Sequence, residues 1–297
     1  MNPSRQTGAT RPLWLILAPA IFLLLWSGGY VVAKVAIAYA EPLTVLVVRY
    51  TMVVVAMAAL FLILRPPLPK TRAEWVHLAI VGLLIQTIYF GMSYLAFDDG
   101  VASGTVALIM SLQPVLVAIV APHWSGESVG WRRWSGLGLG LVGTAAVIVA
   151  RSEVESPPVL GFLFAGIGLA GMTIGTLWEK RFGLSHHPVT ANLIGFAAGL
   201  AGILPIALAT ESQSIEWSWP FVGALAYLVI GNSLIATSLL LAMIRAGEVS
   251  RVSALLFLVP PVAGLMAWGA LGEVMPPLGW VGIVLAGIGV LIATRSR

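Results

Sequence analysis

The sequence predicts an all-α membrane protein with ten transmembrane helices in two inverted five-helix repeats. Three observations lead there. The chain is 59% hydrophobic and 9% charged over 297 residues, whereas a soluble chain carries about 25% charged residues. So little charge cannot coat a globule, and the apolar surface must face lipid. The apolar runs are continuous and about 20 residues long, the length a helix needs to cross hydrocarbon, unlike the shorter alternating segments of a barrel. Finally, landmarks recur 146 positions apart: Gly29, Lys34, Pro42, Thr44, Pro114, Gly126, Glu127 and Trp134 reappear in order as Gly175, Lys180, Pro188, Thr190, Pro260, Gly272, Glu273 and Trp280. Internal repeats reshape any fold assignment, and chance aligns Lys, Pro, Glu and Trp poorly. The predicted units are 1–151 and 152–297.

The spans follow in order. The first, 13–36, comes after Arg5 and Arg11 and is too long for the h-region of a signal peptide, about 7–15 residues, so it is predicted to be a retained helix. The second, 43–64, begins behind Pro42. The third, 75–97, carries Gln86 near its middle, and the fourth, 101–121, carries Ser111 and Pro114. The fifth, 132–150, opens on Arg132 and Arg133. The second unit repeats the series at 159–179, 189–209, 219–242, 249–269 and 277–294, with Asn232 and Pro260 standing where Gln86 and Pro114 stand in the first. Only helices satisfy their own backbone within such spans.

Charge sets the predicted orientation. The N-terminus, alternate loops at 65–72, 132–133, 180–181 and 245–251, and the C-terminal tail hold thirteen of the 16 cations. Acids dominate the other side: Glu41, Asp98, Asp99, Glu153, Glu155, Glu211, Glu216 and Glu273. By the positive-inside rule both termini are cytoplasmic. An odd number of spans per unit makes the second copy enter from the opposite face, the arrangement of inverted-repeat transporters.

Catalysis is disfavoured. His77, His123, His186 and His187 fall at span ends or in loops, no mid-span base accompanies Ser103, and no His/Asp/Glu cluster is predicted in the bilayer. The absence of Cys excludes disulfides and thiolate chemistry. No cofactor, metal or nucleic-acid partner is expected; the expected partners are a small-molecule substrate and the bilayer. Polar residues within spans are costly and point to function. Gln86 and Asn232, related by the 146-residue offset, are therefore the leading candidates, since an amide both donates and accepts; interhelical bonding is the structural alternative. Trp26 and Tyr30 share a helix face, as do Gln86, Tyr89, Ser93 and Phe97. Trp178, Ser111 and these side chains complete the predicted substrate-binding set. Pro114 and Pro260, placed mid-helix, are predicted hinges. Gly136, Gly140 and Gly143, with Gly282, Ala286 and Gly289, form a small-residue face suited to close helix contact. That face is a scaffold or a homodimer surface, the monomer being the favoured state.

These motifs resemble a known family. Lys-x7-Pro after the first helix of each unit (Lys34/Pro42, Lys180/Pro188) and Gly-Glu before the fifth (Gly126-Glu127, Gly272-Glu273) are similar to those of the drug/metabolite transporter superfamily, and within it the ten-helix EamA-type exporters. The resemblance covers nearly the whole chain. Trp26-Ser27-Gly28-Gly29-Tyr30 and the polar third helix are most similar to bacterial inner-membrane exporters of the YddG kind. It implies export of aromatic and other neutral amino acids, or related metabolites, through a central cavity. With no carboxylate deep in a span, uniport is expected, and Glu179 is the residue to watch. Superfamily members that carry nucleotide sugars or triose phosphates would need cations in the cavity, whereas Lys34, Arg49 and Lys180 are read here as lying toward span ends. Conductance without saturation would mark a channel instead.

Overall fold

In the computed structural model, residues 13–113, 115–117, 119–120, 130–152, 158–182, 186–239, 243, 258–273 and 275–295 are described. Among them the chain is all-helical, apart from an isolated antiparallel bridge between Ala40 and Ile215. The helices are α1 (Leu13–Ala36), α2 (Pro42–Leu64), α3 (Arg72–Asp98), α4 (Ser103–Met110), α5 (Trp131–Ser152), α6 (Val159–Phe182), α7 (Pro188–Thr210), α8 (Trp219–Leu239), α9 (Val259–Leu271) and α10 (Pro277–Arg295). Six of them, α1, α2, α3, α6, α7 and α8, are long and apolar enough to cross a membrane, and the other four are shorter apolar helices. In those six only 28% to 44% of each apolar window is buried in protein. The remainder, including Val55, Ile63, Val159 and Leu208, is exposed and suited to hydrocarbon. Trp131, Trp217 and Trp219 are exposed at helix starts, the interfacial position favoured by amphipathic rings.

Proline and capping residues set the helix starts. Pro42, Pro188, Pro220 and Pro260 stand in first turns, where a missing N–H leaves no helical bond unmade. Thr71 and Glu74 close the start of α3: the Thr71 hydroxyl accepts from Glu74 N, while the Glu74 carboxylate accepts from Lys70 N and Thr71 Oγ1. This is a capping-box arrangement. Gly272 ends α9 at φ 65°, the left-handed conformation that glycine adopts without strain.

Two predicted features are corrected. Pro260 is not mid-helix but in the first turn of α9, so it removes no backbone bond there and weakens no helix. Pro114 lies outside the described residues. The predicted fourth span is not one continuous α-helix, because α4 gives way to a turn at Ser111–Leu112. At that point Ser111 N bonds to both Ala107 O and Leu108 O, and Leu112 N tightens onto Ile109 O.

The long helices α3 and α8 share an irregularity. Each contains a π-helical stretch, Leu83–Phe90 in α3 and Tyr227–Ala236 in α8, and the second covers the positions 146 residues beyond the first. Such widened turns are rare and mark functional sites.

The helices pack in corresponding pairs: α2 with α7, α4 with α9, α5 with α10, α1 with α8 and α3 with α6. Tyr50, Tyr94, Phe97, Leu46, Phe221 and Leu228 belong to the main core, and a satellite core of Leu108, Val147, Ile283 and Ala286 lies between α4, α5 and α10. The small-residue face predicted on α5 is used inside the chain. A Cβ on Gly143 would overlap the backbone of Gly282 and Ala286, and one on Gly289 would meet Gly136 and Gly140 backbone. That surface joins α5 to α10 and is covered, which removes it as a docking face for a second copy.

The α5–α10 contact predicts a paired result. Gly143→Val should lower the melting temperature of the detergent-solubilised protein, since overpacking costs about 1–3 kcal/mol. Gly138→Val, at a position open to its surroundings, should leave it nearly unchanged. Equal melting temperatures for both variants would refute this packing.

Candidate functional site

The interior site is built by four helices. α1 contributes Trp26 and Tyr30, α2 contributes Arg49, and the π-helical stretches of α3 and α8 contribute Gln86, Tyr89 and Phe90, and Asn232 and Ser233. α1 can approach α8 because of Gly28 and Gly29: a Cβ on Gly28 would strike the Tyr227 hydroxyl, and one on Gly29 would press on the Asn232 amide. The close approach lets Asn232 Nδ2 donate to Leu25 O at 3.2 Å and Tyr227 OH donate to Leu25 O at 3.0 Å. Across the molecule, α3 and α7 approach through Gly82 and Gly195, while Gly199 makes room for the Gln86 side chain.

Two adjoining voids result. One, a narrow cleft of about 20 Å³, lies among Trp26, Tyr30, Tyr89, Ser93 and Phe97. The other, of about 480 Å³, runs past Gln86, Asn192 and Glu179 to His186 and Pro188 at the start of α7. Trp26, Arg49, Phe90 and Asn232 line both.

The predicted residues divide into three groups. Trp26, Tyr30, Tyr89, Ser93, Gln86 and Asn232 are brought to the voids. Tyr30 and Tyr89 share a hydroxyl–hydroxyl bond of 3.0 Å. Asn232 has both ends of its amide engaged, to Leu25 and to Arg49, so interhelical bonding describes it better than free amide chemistry. The Gln86 amide oxygen is buried without a partner among the described residues. Ser93 reaches the smaller void, but its hydroxyl donates to Tyr89 O in its own helix. Ser111 and Trp178 are not gathered in. Ser111 Oγ donates to Leu108 O, and Trp178 packs on Phe182 and His77. Neither is among the residues that line these two voids.

The main correction concerns Arg49. It stands in the second turn of α2, toward that end of the span, yet it is inside the bundle, with 2% of its surface exposed. Nε donates to Ser233 Oγ at 3.1 Å, Nη1 to Tyr94 OH at 3.2 Å, and Nη2 to Asn232 Oδ1 at 2.8 Å and Ser233 Oγ at 2.9 Å. Its guanidinium carbon sits 5.0 Å from the centre of the Phe90 ring, a cation–π distance. A cation inside an apolar span was the available signal. The start of α2 is itself buried from Pro42 to Leu46, which carries Arg49 deeper than its place in the apolar run suggests.

One end of the bundle is tied by carboxylates acting across the chain. Glu211 accepts from Leu43 N, Thr44 N and Thr44 Oγ1 at 2.6–2.8 Å, closing the start of α2. Glu273 accepts from Ser103 N and Oγ at the start of α4 and pairs with Lys34 at 3.1 Å, while Lys34 Nζ also donates to Val101 O. Asp99 accepts from Gly161 N at the start of α6, and Glu41 accepts from Ser212. Helix N-termini favour such negative charge. Glu273 thus caps α4 rather than the helix that follows it. Lys180 has no described side chain, and Glu127 lies outside the described residues.

The comparisons bear on this geometry. The model of the EamA-like transporter family matches the chain twice, at residues 12–149 and 159–295. The chain is 26% identical to the transporter YvbV of Bacillus subtilis over 87% of its length and 83% of that protein. It is 24% identical to the inner membrane transporter YedA of Escherichia coli K12, over 95% and 92%. A Salmonella typhimurium relative named "Probable amino-acid metabolite efflux pump" is 24% identical, with 92% of each chain covered. One solved crystal structure superposes with a TM-score of 0.64 at 19% identity, covering 94% of this chain and 96% of its own, which supports the fold.

Asn232→Leu is expected to destabilise the protein by about 1–3 kcal/mol, the range for stranding buried hydrogen-bonding groups, because it removes a partner from both Arg49 and Leu25 O. Thermal unfolding in detergent measures this. A variant as stable as the parent would show that these bonds hold nothing together.

Proposed function

The chain belongs to the EamA-like transporter family and is a membrane transporter; on that premise we propose that it exports amino acids, aromatic and neutral, and related small metabolites. The observation that carries this reading is the larger void, of about 480 Å³ and lined by Trp26, Gln86 and Asn232, with the narrow cleft of Tyr30 and Tyr89 adjoining it. Their mixed lining suits a small molecule with an apolar body and polar ends. The Salmonella relative's name favours the same class.

Transport runs by alternating access between two inverted five-helix repeats, within 1–151 and 152–297. The double family match, the π-helical stretches at equivalent positions of α3 and α8 and the corresponding helix pairs all support this arrangement. In each repeat the first helix sets glycines against the other repeat's π-helical stretch: Gly28 and Gly29 of α1 on α8, Gly171 and Gly175 of α6 on α3. The cation pattern supports cytoplasmic termini in a bacterial inner membrane. The carboxylate-tied end is then the outer end, held closed, while the larger void extends toward the cytoplasm. Opening outward requires the Lys34–Glu273 pair and the Glu211 cap to separate. The protein acts as a monomer, since the α5 face is spent on α10.

The energy source is the substrate's own gradient. Glu179 is the carboxylate that lines a void among the described residues, and it belongs to the wide part, away from the aromatic cluster. Flux into proteoliposomes should therefore respond little to a pH gradient at clamped membrane potential. Uphill accumulation of a neutral amino acid driven by pH alone, and abolished in Glu179→Gln, would replace uniport with proton coupling.

Counterflow of labelled amino acids into proteoliposomes is the direct test of the function. Saturable exchange is expected, and Gln86→Leu should weaken it about two- to tenfold, the worth of one polar contact at 0.5–1.5 kcal/mol, while folded yield holds. Undiminished exchange would remove Gln86 from the site; unsaturable conductance would indicate a channel.

A further inference from the structure

Arg49 is the buried cation that faces both voids, and its surroundings leave its charge unneutralised. Its partners among the described residues, Ser233, Tyr94, Asn232 and the Phe90 ring, are all neutral. A guanidinium buried away from water without an anion is expensive, and removing counter-charge from a buried cation is among the costlier changes a protein can suffer. The described carboxylates do not relieve it: Glu273, Glu211 and Asp99 are committed to helix starts at the tied end and Glu41 to the loop after α7, while Glu179 lines the larger void but is not among the groups bonded to Arg49. Four N–H groups are engaged, leaving one on Nη1 unused beside the smaller void. Arginine presents a planar fork that matches a carboxylate, and Ser233 with Asn232 holds that fork in place from α8.

The geometry points to Arg49 as the docking point for the carboxylate of a transported substrate, so that the protein selects small monocarboxylates with an apolar or aromatic body. The reading rests on the voids being the transport site. The larger void beside the guanidinium has room for the remainder of the ligand, with Trp26, Phe90 and Phe196 in its walls, while Tyr30, Tyr89 and Phe97 close the narrow cleft beyond. A phosphomonoester dianion fits less well, since Arg49 is the lone Lys or Arg lining either void among the described residues. An incoming carboxylate can take the free Nη1–H and exchange with the hydroxyls of Ser233 and Tyr94, which are neutral acceptors and weaker competitors than an anion. The site would then neutralise itself only when loaded. Empty, it keeps the unpaired charge; occupied, it presents a neutral pair to the hydrocarbon, which favours rearrangement of the loaded form.

The test compares acids with matched amides. Binding of 3-phenylpropionate against 3-phenylpropionamide, and of L-phenylalanine and L-leucine against their amides, is measured on the full chain in detergent by calorimetry and thermal shift. Wild type should bind each acid at least tenfold more tightly than its amide. In Arg49→Gln the acid-over-amide ratio, read within that variant, should fall to about one, and Arg49→Lys, which keeps the charge without the fork, should retain part of the preference. Equal binding of acids and amides by wild type, binding of no acid, or an undiminished preference in Arg49→Gln would overturn the assignment. If both variants fail to fold, the wild-type comparison decides alone. Proteoliposome counterflow of the same probes separates the two readings: acids bound but not exchanged would sink the transport reading and leave the anchor, whereas amides exchanged as well as acids would sink the anchor and leave transport.

Discussion

A guanidinium set inside a hydrocarbon-spanning bundle constrains nearly everything around it. Arg49 projects from α2 and is fixed by Asn232 and Ser233 of α8 and Tyr94 of α3, so one side chain joins residues more than 180 positions apart in sequence. A buried polar group left without a partner costs the full desolvation of that group. Asn232 is therefore held at both ends, and its second bond, to Leu25 O, exists only because Gly29 lets α1 approach. The π-helical stretch of α8 carries Asn232 and Ser233 as neighbours, and both reach the same guanidinium. Remove the charge and the geometry of three helices loses its common reference point.

At the tied end the same physics is solved with carboxylates. Four unbonded backbone N–H groups stand at every helix start, and in this chain several are capped from a distance of 62 to 170 residues in sequence rather than locally. A local cap stabilises a helix wherever it moves. A cap from another helix stabilises one arrangement of the bundle and is lost when the helices separate. The end that closes the bundle is thus held by bonds that a conformational change can break one by one, and the Lys34–Glu273 pair shares this property.

The sequence made the elements legible and the site only partly so. Continuous apolar runs and the Pro42 and Pro188 starts located α2 and α7 almost to the residue, because those signals are local. Trp26, Tyr30, Gln86 and Tyr89 converge as their spacing suggests, since residues three or four apart share a helical face. Ser111 and Trp178 lie apart from these two voids, because spacing gives no absolute rotation and their helices turn them toward other neighbours. Arg49 was misplaced for a related reason. Hydropathy marks where a helix is apolar, but whether its first turns are buried in protein depends on neighbours such as Glu211 of another helix, a contact with no signature in α2 itself. The small-residue face was correctly seen as a contact surface, yet only the fold could show that its partner was α10.

The two halves also differ in an instructive way. At the 146-residue offset, Arg49 corresponds to Gly195, Tyr89 to Ile235, Trp26 to Met172 and Tyr30 to Thr176, whereas the glycine faces, π-helical stretches and helix-start prolines recur. What recurs is what two packed copies both need. What diverges lines the voids. Gly195 is small where Arg49 is large, and its backbone is the surface against which Gly82 of α3 packs. A second arginine there would block that crossing and put another charge beside the larger void. The offset thus sets a cation in one half only, beside aromatic rings that the other half lacks at the equivalent positions, so the lining of the voids differs between the halves where their packing surfaces agree.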